Sequence, residues 1–182
     1  MARLICLFLI ITTVLSAVGS YAATCESTAQ GHEHLTVNDK CYILFKDAAK
    51  WSDAMITCSR IFHGRLGYVE KVETLYAIEG WLNKVYRPLP SQAWFWIGLL
   101  QVDTSDEPAG GWAWVNTDHS INHKSTPTNT PWHPGQPDNL DGHQNCGELW
   151  NNDNAFGADD APCGDAHPFI CETHTKGLSV KK

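Results

Sequence analysis

The chain has 182 residues, 13 basic and 20 acidic side chains and a formal net charge of −7. That length makes one domain the default. The acidic balance argues against nucleic acid and anionic membranes as partners. Residues 1–22 are expected to be a signal peptide: Arg3 supplies the positive start, Leu4 to Val18 is an almost unbroken apolar run, and Ser20 and Ala22 offer small residues for cleavage. The run is short for a membrane span and no second one reaches spanning length, so the rest of the chain is expected to be secreted, without a membrane span. Losing Cys6 with that segment leaves Cys25, Cys41, Cys58, Cys146, Cys163 and Cys171, an even set suited to an oxidising compartment. Six cysteines allow fifteen pairings, and spacing alone does not choose among them. No C-x-x-C pair suggests a thiolate metal site.

From Cys25 to Lys40 the chain is a polar lead-in without apolar periodicity, and Cys41 to Phe45 then reads as a strand. Asp47 is expected to cap the next helix, whose apolar face carries Trp51, Met55, Cys58 and Phe62 at helical spacing. His63 to Val69 is a turn and short strand. A second helix is expected over Lys71–Tyr86, with Val72, Leu75, Ile78, Leu82 and Val85 as its stripe, stopped by Pro88 and Pro90. Ala93 to Leu100 is a buried strand, too apolar to face water, and Gly111 to Val115 alternates like another. Trp96, Trp112 and Trp114 are expected in the core. Asn116 to Asp141 is then a long loop, which in a compact domain is usually functional or disordered. Trp132 and the prolines Pro127, Pro131, Pro134 and Pro137 favour an ordered loop. Strand character returns over Cys146–Trp150 and Pro168–Glu172, and residues 173–182 read as a flexible tail.

Three of these segments carry a resemblance. Trp96-Ile97-Gly98-Leu99, the loop Trp132-His133-Pro134-Gly135-Gln136-Pro137-Asp138-Asn139, and Phe169-Ile170-Cys171-Glu172 resemble, in order and spacing, motifs of C-type lectin-like domains. The resemblance spans Cys25 to Glu172 and points to the long form of the Q-P-D type. It implies an α+β domain over residues 25–172, with two helices, antiparallel sheets and a long calcium-binding loop region. It also implies three disulfides: Cys58 with Cys171, Cys146 with Cys163, and Cys25 with Cys41.

The same resemblance implies a calcium site and a cis bond before Pro137. Gln136 and Asp138 flank that proline. Two residues before Cys146, where the family usually has Glu, stands Gln144. The family's W-N-D triplet falls on Ala158-Asp159-Asp160. Gln136, Asp138, Gln144, Asp159 and Asp160 therefore form the expected metal and carbohydrate site, with three carboxylates and two amide oxygens. That donor set suits Ca2+ at roughly 0.1–1 mM, the range of extracellular modules. A competing register, Trp150-Asn151-Asn152-Asp153, ranks lower because Trp150 belongs to a strand.

Each sugar hydroxyl at such an ion donates to a carboxylate and accepts from an amide. Gln136 with Asp138 can serve one hydroxyl, and Gln144 with Asp159 the other. The Q-P-D label implies galactose, but the second pair is reversed as well. The expected partners are therefore glycans with vicinal hydroxyls: galactose, and mannose or fucose too. Leu140 stands where galactose-type sites commonly place a stacking aromatic.

His133 and His143 are expected to be exposed loop histidines. Asp103, Asp106 and Glu107, with Asn139 or Asn145, are weak candidates for an auxiliary calcium site, little better than chance. No nucleophile–base constellation suggests an enzyme. The expected function is a secreted, calcium-dependent lectin in glycan recognition and innate immunity, with self-association into a homo-oligomer as the route to avidity. The alternative is a calcium-independent protein- or mineral-binding matrix component on the same scaffold.

Overall fold

The computed structural model describes residues 24–122, 129–152 and 155–174. The expected signal peptide, Pro127, Asp153 and residues 175–182 lie outside the described residues. Among the described residues, nine strands form one mixed sheet: β1 (His34–Val37), β2 (Lys40–Ala49), β3 (Arg65–Leu66), β4 (Gln92–Gln101), β5 (Trp112–Val115), β6 (Ile121–Asn122), β7 (Cys146–Asn152), β8 (Ala155–Ala161) and β9 (His167–His174). The main path runs β1-β2-β9-β4-β5-β6; β3 adds to β9, and β7 joins β4 to β8. The pairs are antiparallel except β4 with β9, which run parallel where Trp96 meets Phe169.

The helices are α1 (Cys25–Ala29), α2 (Trp51–Phe62) and α3 (Val72–Tyr86). The lead-in is thus more structured than its polarity suggests. A capping box between Thr24 and Ser27 starts α1, and β1 pairs with β2. Asp47 does not cap α2. It is a residue of β2, which runs on to Ala49 opposite His167, and the helix begins after Lys50 without a side-chain cap. Pairing with β9 outweighs the local capping preference there.

α2 buries Trp51, Ala54, Cys58 and Phe62, while Met55 is only half-buried. α3 buries Leu75, Ile78, Trp81 and Leu82. Trp81 widens the buried stripe, whereas Val72, expected in it, is exposed.

Two apolar clusters lie on opposite faces of the sheet. One holds Tyr42, Leu44, Phe95, Ile97, Trp112, Trp114 and Leu149 with the buried side of α3. The other holds Ile43, Trp96, Phe169 and Cys171 with the buried side of α2. Successive strand residues point to opposite faces. A strand covered on both faces therefore reads as an unbroken apolar run, as β4 does. Gly98 interrupts that run because β3 crosses there: a Cβ at Gly98 would sit 2.8 Å from the Leu66 carbonyl oxygen.

The three disulfides pair Cys25 with Cys41, Cys58 with Cys171 and Cys146 with Cys163. Buried Glu172 of β9 ties β2 and β3 to its own strand. Its carboxylate meets Arg65 Nη2 at 2.8 Å and Lys40 Nζ at 3.2 Å, and accepts the Tyr68 N–H at 2.9 Å. Among the described residues, no helix is long and apolar enough to cross a membrane.

Candidate functional site

The candidate site is built where the long loop docks on the free side of β8. Trp132 bridges Ala158 in parallel, the His133 N–H donates to the Ala158 carbonyl (2.7 Å), and the Ala158 N–H donates to the Pro131 carbonyl (2.9 Å). Trp132 is anchored edge-on against Trp112, 5.1 Å between ring centroids. Gly157 permits this approach, because a Cβ there would lie 2.6 Å from the His133 backbone nitrogen. The chain then turns, with the Gln136 N–H donating to the His133 carbonyl (2.9 Å), and passes through the cis Gln136–Pro137 bond that the resemblance implied.

Beyond the proline, the backbone N–H groups of Asp138 and Asn139 donate to the two oxygens of Asp160, at 2.9 and 2.8 Å. This carboxylate on β8 is 1% exposed and orients the whole turn. Asn139 is left-handed (φ 47°) and leads into a 3-10 turn over Leu140–Gly142. The Leu140 N–H is shared between Asp138 Oδ1 (3.1 Å) and Gln144 Oε1. Asp138, Gln144 and Asp160 are thereby brought together from two stretches far apart in the chain. Gln136 precedes them with its Oε1 buried and lacking any hydrogen-bond partner. Such an orphaned carbonyl oxygen is the kind of group a cation would satisfy.

Asp159 is the fifth expected residue. Burial, reinforced by the charges of Asp160 and Asp138, pushes its carboxyl up to about 7. Burial raises Asp160 too, against the lowering effect of the N–H groups of Asp138 and Asn139. Across the β7–β8 ladder Asp159 faces Glu148. Glu148 is 3% exposed, and burial followed by the charge of Asp159 raises its carboxyl well above the ordinary range. Several acidic side chains are therefore crowded and desolvated at this edge, which favours their protonated forms. Among the described residues, no three His, Cys, Asp or Glu side chains are grouped to hold a metal by themselves. A cation here has to draw on the amide oxygens of Gln136 and Gln144 as well, a mixed oxygen set that suits a hard cation.

In the competing register the Asn151 amide is engaged elsewhere, donating to the Pro90 carbonyl, and Asn152 Oδ1 accepts from Gln92 Nε2, while Asp153 lies outside the described residues. His133 corrects an expectation. It is 9% exposed, not an open loop histidine, with its ring 4.5 Å from that of Trp150 and Nε2 buried without a partner. The ladder between loop and β8 draws it in. His143 is exposed, as expected.

Glu148 is the residue that sequence reasoning missed, and Asn139, singled out only for an auxiliary site, proves to shape the turn itself. Glu148 carried one legible signal, a charge inside the strand-like run Cys146–Trp150. Leu140 projects at the rim, 63% exposed.

With this geometry in place, comparison with known proteins is specific. The family model for the Lectin C-type domain matches residues 47–173. A C-type lectin of Cerberus rynchops is 26% identical over 159 residues, covering 87% of this chain and 89% of the relative. A C-type lectin mannose-binding isoform of Oxyuranus scutellatus is 28% identical over 167 residues, covering 91% and 96%. Among solved structures, the cow C-type carbohydrate-recognition domain of CD23, determined in the presence of GlcNAc2Man3 oligosaccharide, superposes with a TM-score of 0.56 at 25% identity, covering 78% of this chain and 93% of that one.

Proposed function

The chain belongs to the C-type lectin domain family, and from that premise we propose that it is a secreted, calcium-dependent carbohydrate-binding lectin. Domains of this family are generally binding proteins, not enzymes, and generally bind calcium. The observation that carries the reading is the convergence of Asp160, Asp138 and Gln144, together with the buried, partnerless oxygen of Gln136 two residues before Asp138. Gln136, Asp138, Gln144, Asp159 and Asp160 would hold the ion. When bound, the ion supplies a Lewis-acidic centre that sugar hydroxyl oxygens can join.

The protein's own side chains select the sugar. The Leu140 N–H fixes Gln144 with its oxygen inward, because a backbone N–H can only donate. The Gln144 amide N–H groups are then left to donate to a hydroxyl oxygen, while the carboxylates of Asp138 and Asp159 accept hydroxyl protons. A donor and an acceptor on each of two sides suits vicinal hydroxyls of galactose, and of mannose or fucose as well. Glycan recognition in innate defence, with several copies providing avidity, fits such a site.

The test is a glycan array and sugar-column retention, with calcium and with chelator. The expected outcome is retention that chelator reverses and that Asp138→Ala abolishes. Retention indifferent to chelator, or none on any sugar in millimolar calcium, would sink the proposal and favour the protein- or mineral-binding alternative.

A further inference from the structure

The acidic loop between β4 and β5 lies against the proposed calcium site, and its carboxylates invite a second cation. The hydrogen bonds there describe something else. Asn139 Nδ2 donates to Glu107 Oε2 at 2.6 Å, while Asn139 Oδ1 accepts the Gln144 backbone N–H at 3.0 Å. The second bond settles the orientation of the first: a backbone N–H can only donate, so the amide oxygen must face it and the NH2 must face Glu107. A second relay runs alongside. Gln101 Nε2 donates to the Gly110 carbonyl (2.8 Å), which leaves Gln101 Oε1 to accept from Asn145 Nδ2 (2.7 Å). A carbonyl only accepts, so this orientation is settled too. Of the remaining acids, Asp103 accepts the Ser105 N–H within its own turn (2.9 Å). With its NH2 turned to Glu107 and its oxygen turned to the Gln144 N–H, Asn139 offers no oxygen to an auxiliary cation beside Glu107.

We infer that these two amide relays, Glu107–Asn139–Gln144 and Gly110–Gln101–Asn145, dock the 102–111 loop onto the 139–145 turn without a cation. Asn139 is the positioning residue. The upper loops then take one calcium ion, not two, and chelation leaves their mutual docking intact. The stoichiometry rests on the lectin proposal; the docking does not.

Hydrogen exchange of the full chain separates the two. With calcium removed, the Val102 and Gly110 amides, which donate to the Gly111 and Asp106 carbonyls, are expected to exchange within about twofold of their calcium-loaded rates. Asn139→Asp places two carboxylates face to face and is expected to speed exchange of these amides at least tenfold in chelator. Adding Glu107→Gln to that variant reverses the polarity of the pair, since the introduced amide now donates to the introduced carboxylate, and is expected to restore protection. Calcium titration by calorimetry is expected to give one site.

Two sites in the wild type, or protection that disappears with chelator, would overturn the inference. So would a double variant as unprotected as Asn139→Asp alone. No calcium binding with protection intact in chelator would overturn the lectin proposal and leave the relays standing.

Discussion

Asp159 holds its carboxyl near pH 7 because it is buried beside Asp160 and Asp138. Between the ordinary carboxylate range and about pH 7, the folded protein therefore retains a proton that the unfolded chain has released. By linkage, this stability is fully present below that window and is lost as pH rises through about 7. Glu148 acts in the same sense, whereas His167, lowered by burial, acts in the opposite sense at acid pH. Comparison with Asp159→Asn isolates the first contribution. In chelator, thermal midpoints across pH 5–8 are expected to fall less with rising pH in the variant than in the wild type, and equal slopes would refute this. Calcium requires the ionised carboxylate, so affinity is expected to weaken as pH drops through about 7, measurable by titration at several pH values.

At the scale of elements, the site depends on how loop Pro131–His133 meets β8. Gly157→Ala would put a methyl 2.6 Å from the His133 backbone nitrogen, a clash with main chain that no side-chain rotation relieves. A cost of about 1–3 kcal/mol is expected, seen as a lower midpoint in denaturant and faster exchange of the His133 and Ala158 amides. Gly164→Ala, whose methyl meets nothing within 4 Å, is the control and should leave both unchanged. β8 was hard to read in advance. Ala155-Phe156-Gly157-Ala158-Asp159-Asp160 has no apolar alternation and two adjacent acids. It is a strand because β7 pairs it on one side and the loop on the other. β4 and α3 were legible because their own side chains carry the pattern that burial demands. Asp47 misled for the converse reason, since a good capping residue was drawn into a strand by a partner more than a hundred positions away.

The whole molecule is closed by the Cys58–Cys171 bond, which joins α2 to β9 across a separation of 113 residues. In the chain-entropy model such a cross-link contributes about 4–5 kcal/mol, against about 3 kcal/mol for a short loop such as Cys25–Cys41, whose separation is 16. Replacing each pair by alanine is expected to lower the thermal midpoint more for Cys58–Cys171 than for Cys25–Cys41. The reverse order would show that local strain, not chain entropy, governs these bonds. Both cysteines lie in the cluster that packs α2 against the sheet, so loss of the bond should be felt there first.

Hydrophobic periodicity and an even cysteine set were legible in the sequence itself, and the family resemblance carried by three ordered motifs implied the fold class and the five residues of the proposed site. Which oxygens meet, which carboxylates are desolvated, and that the Asn139 amide faces Glu107 were decided only by tertiary structure. Those properties arise between segments that approach one another only after the sheet has paired and excluded water, and no local stretch of sequence records that distance.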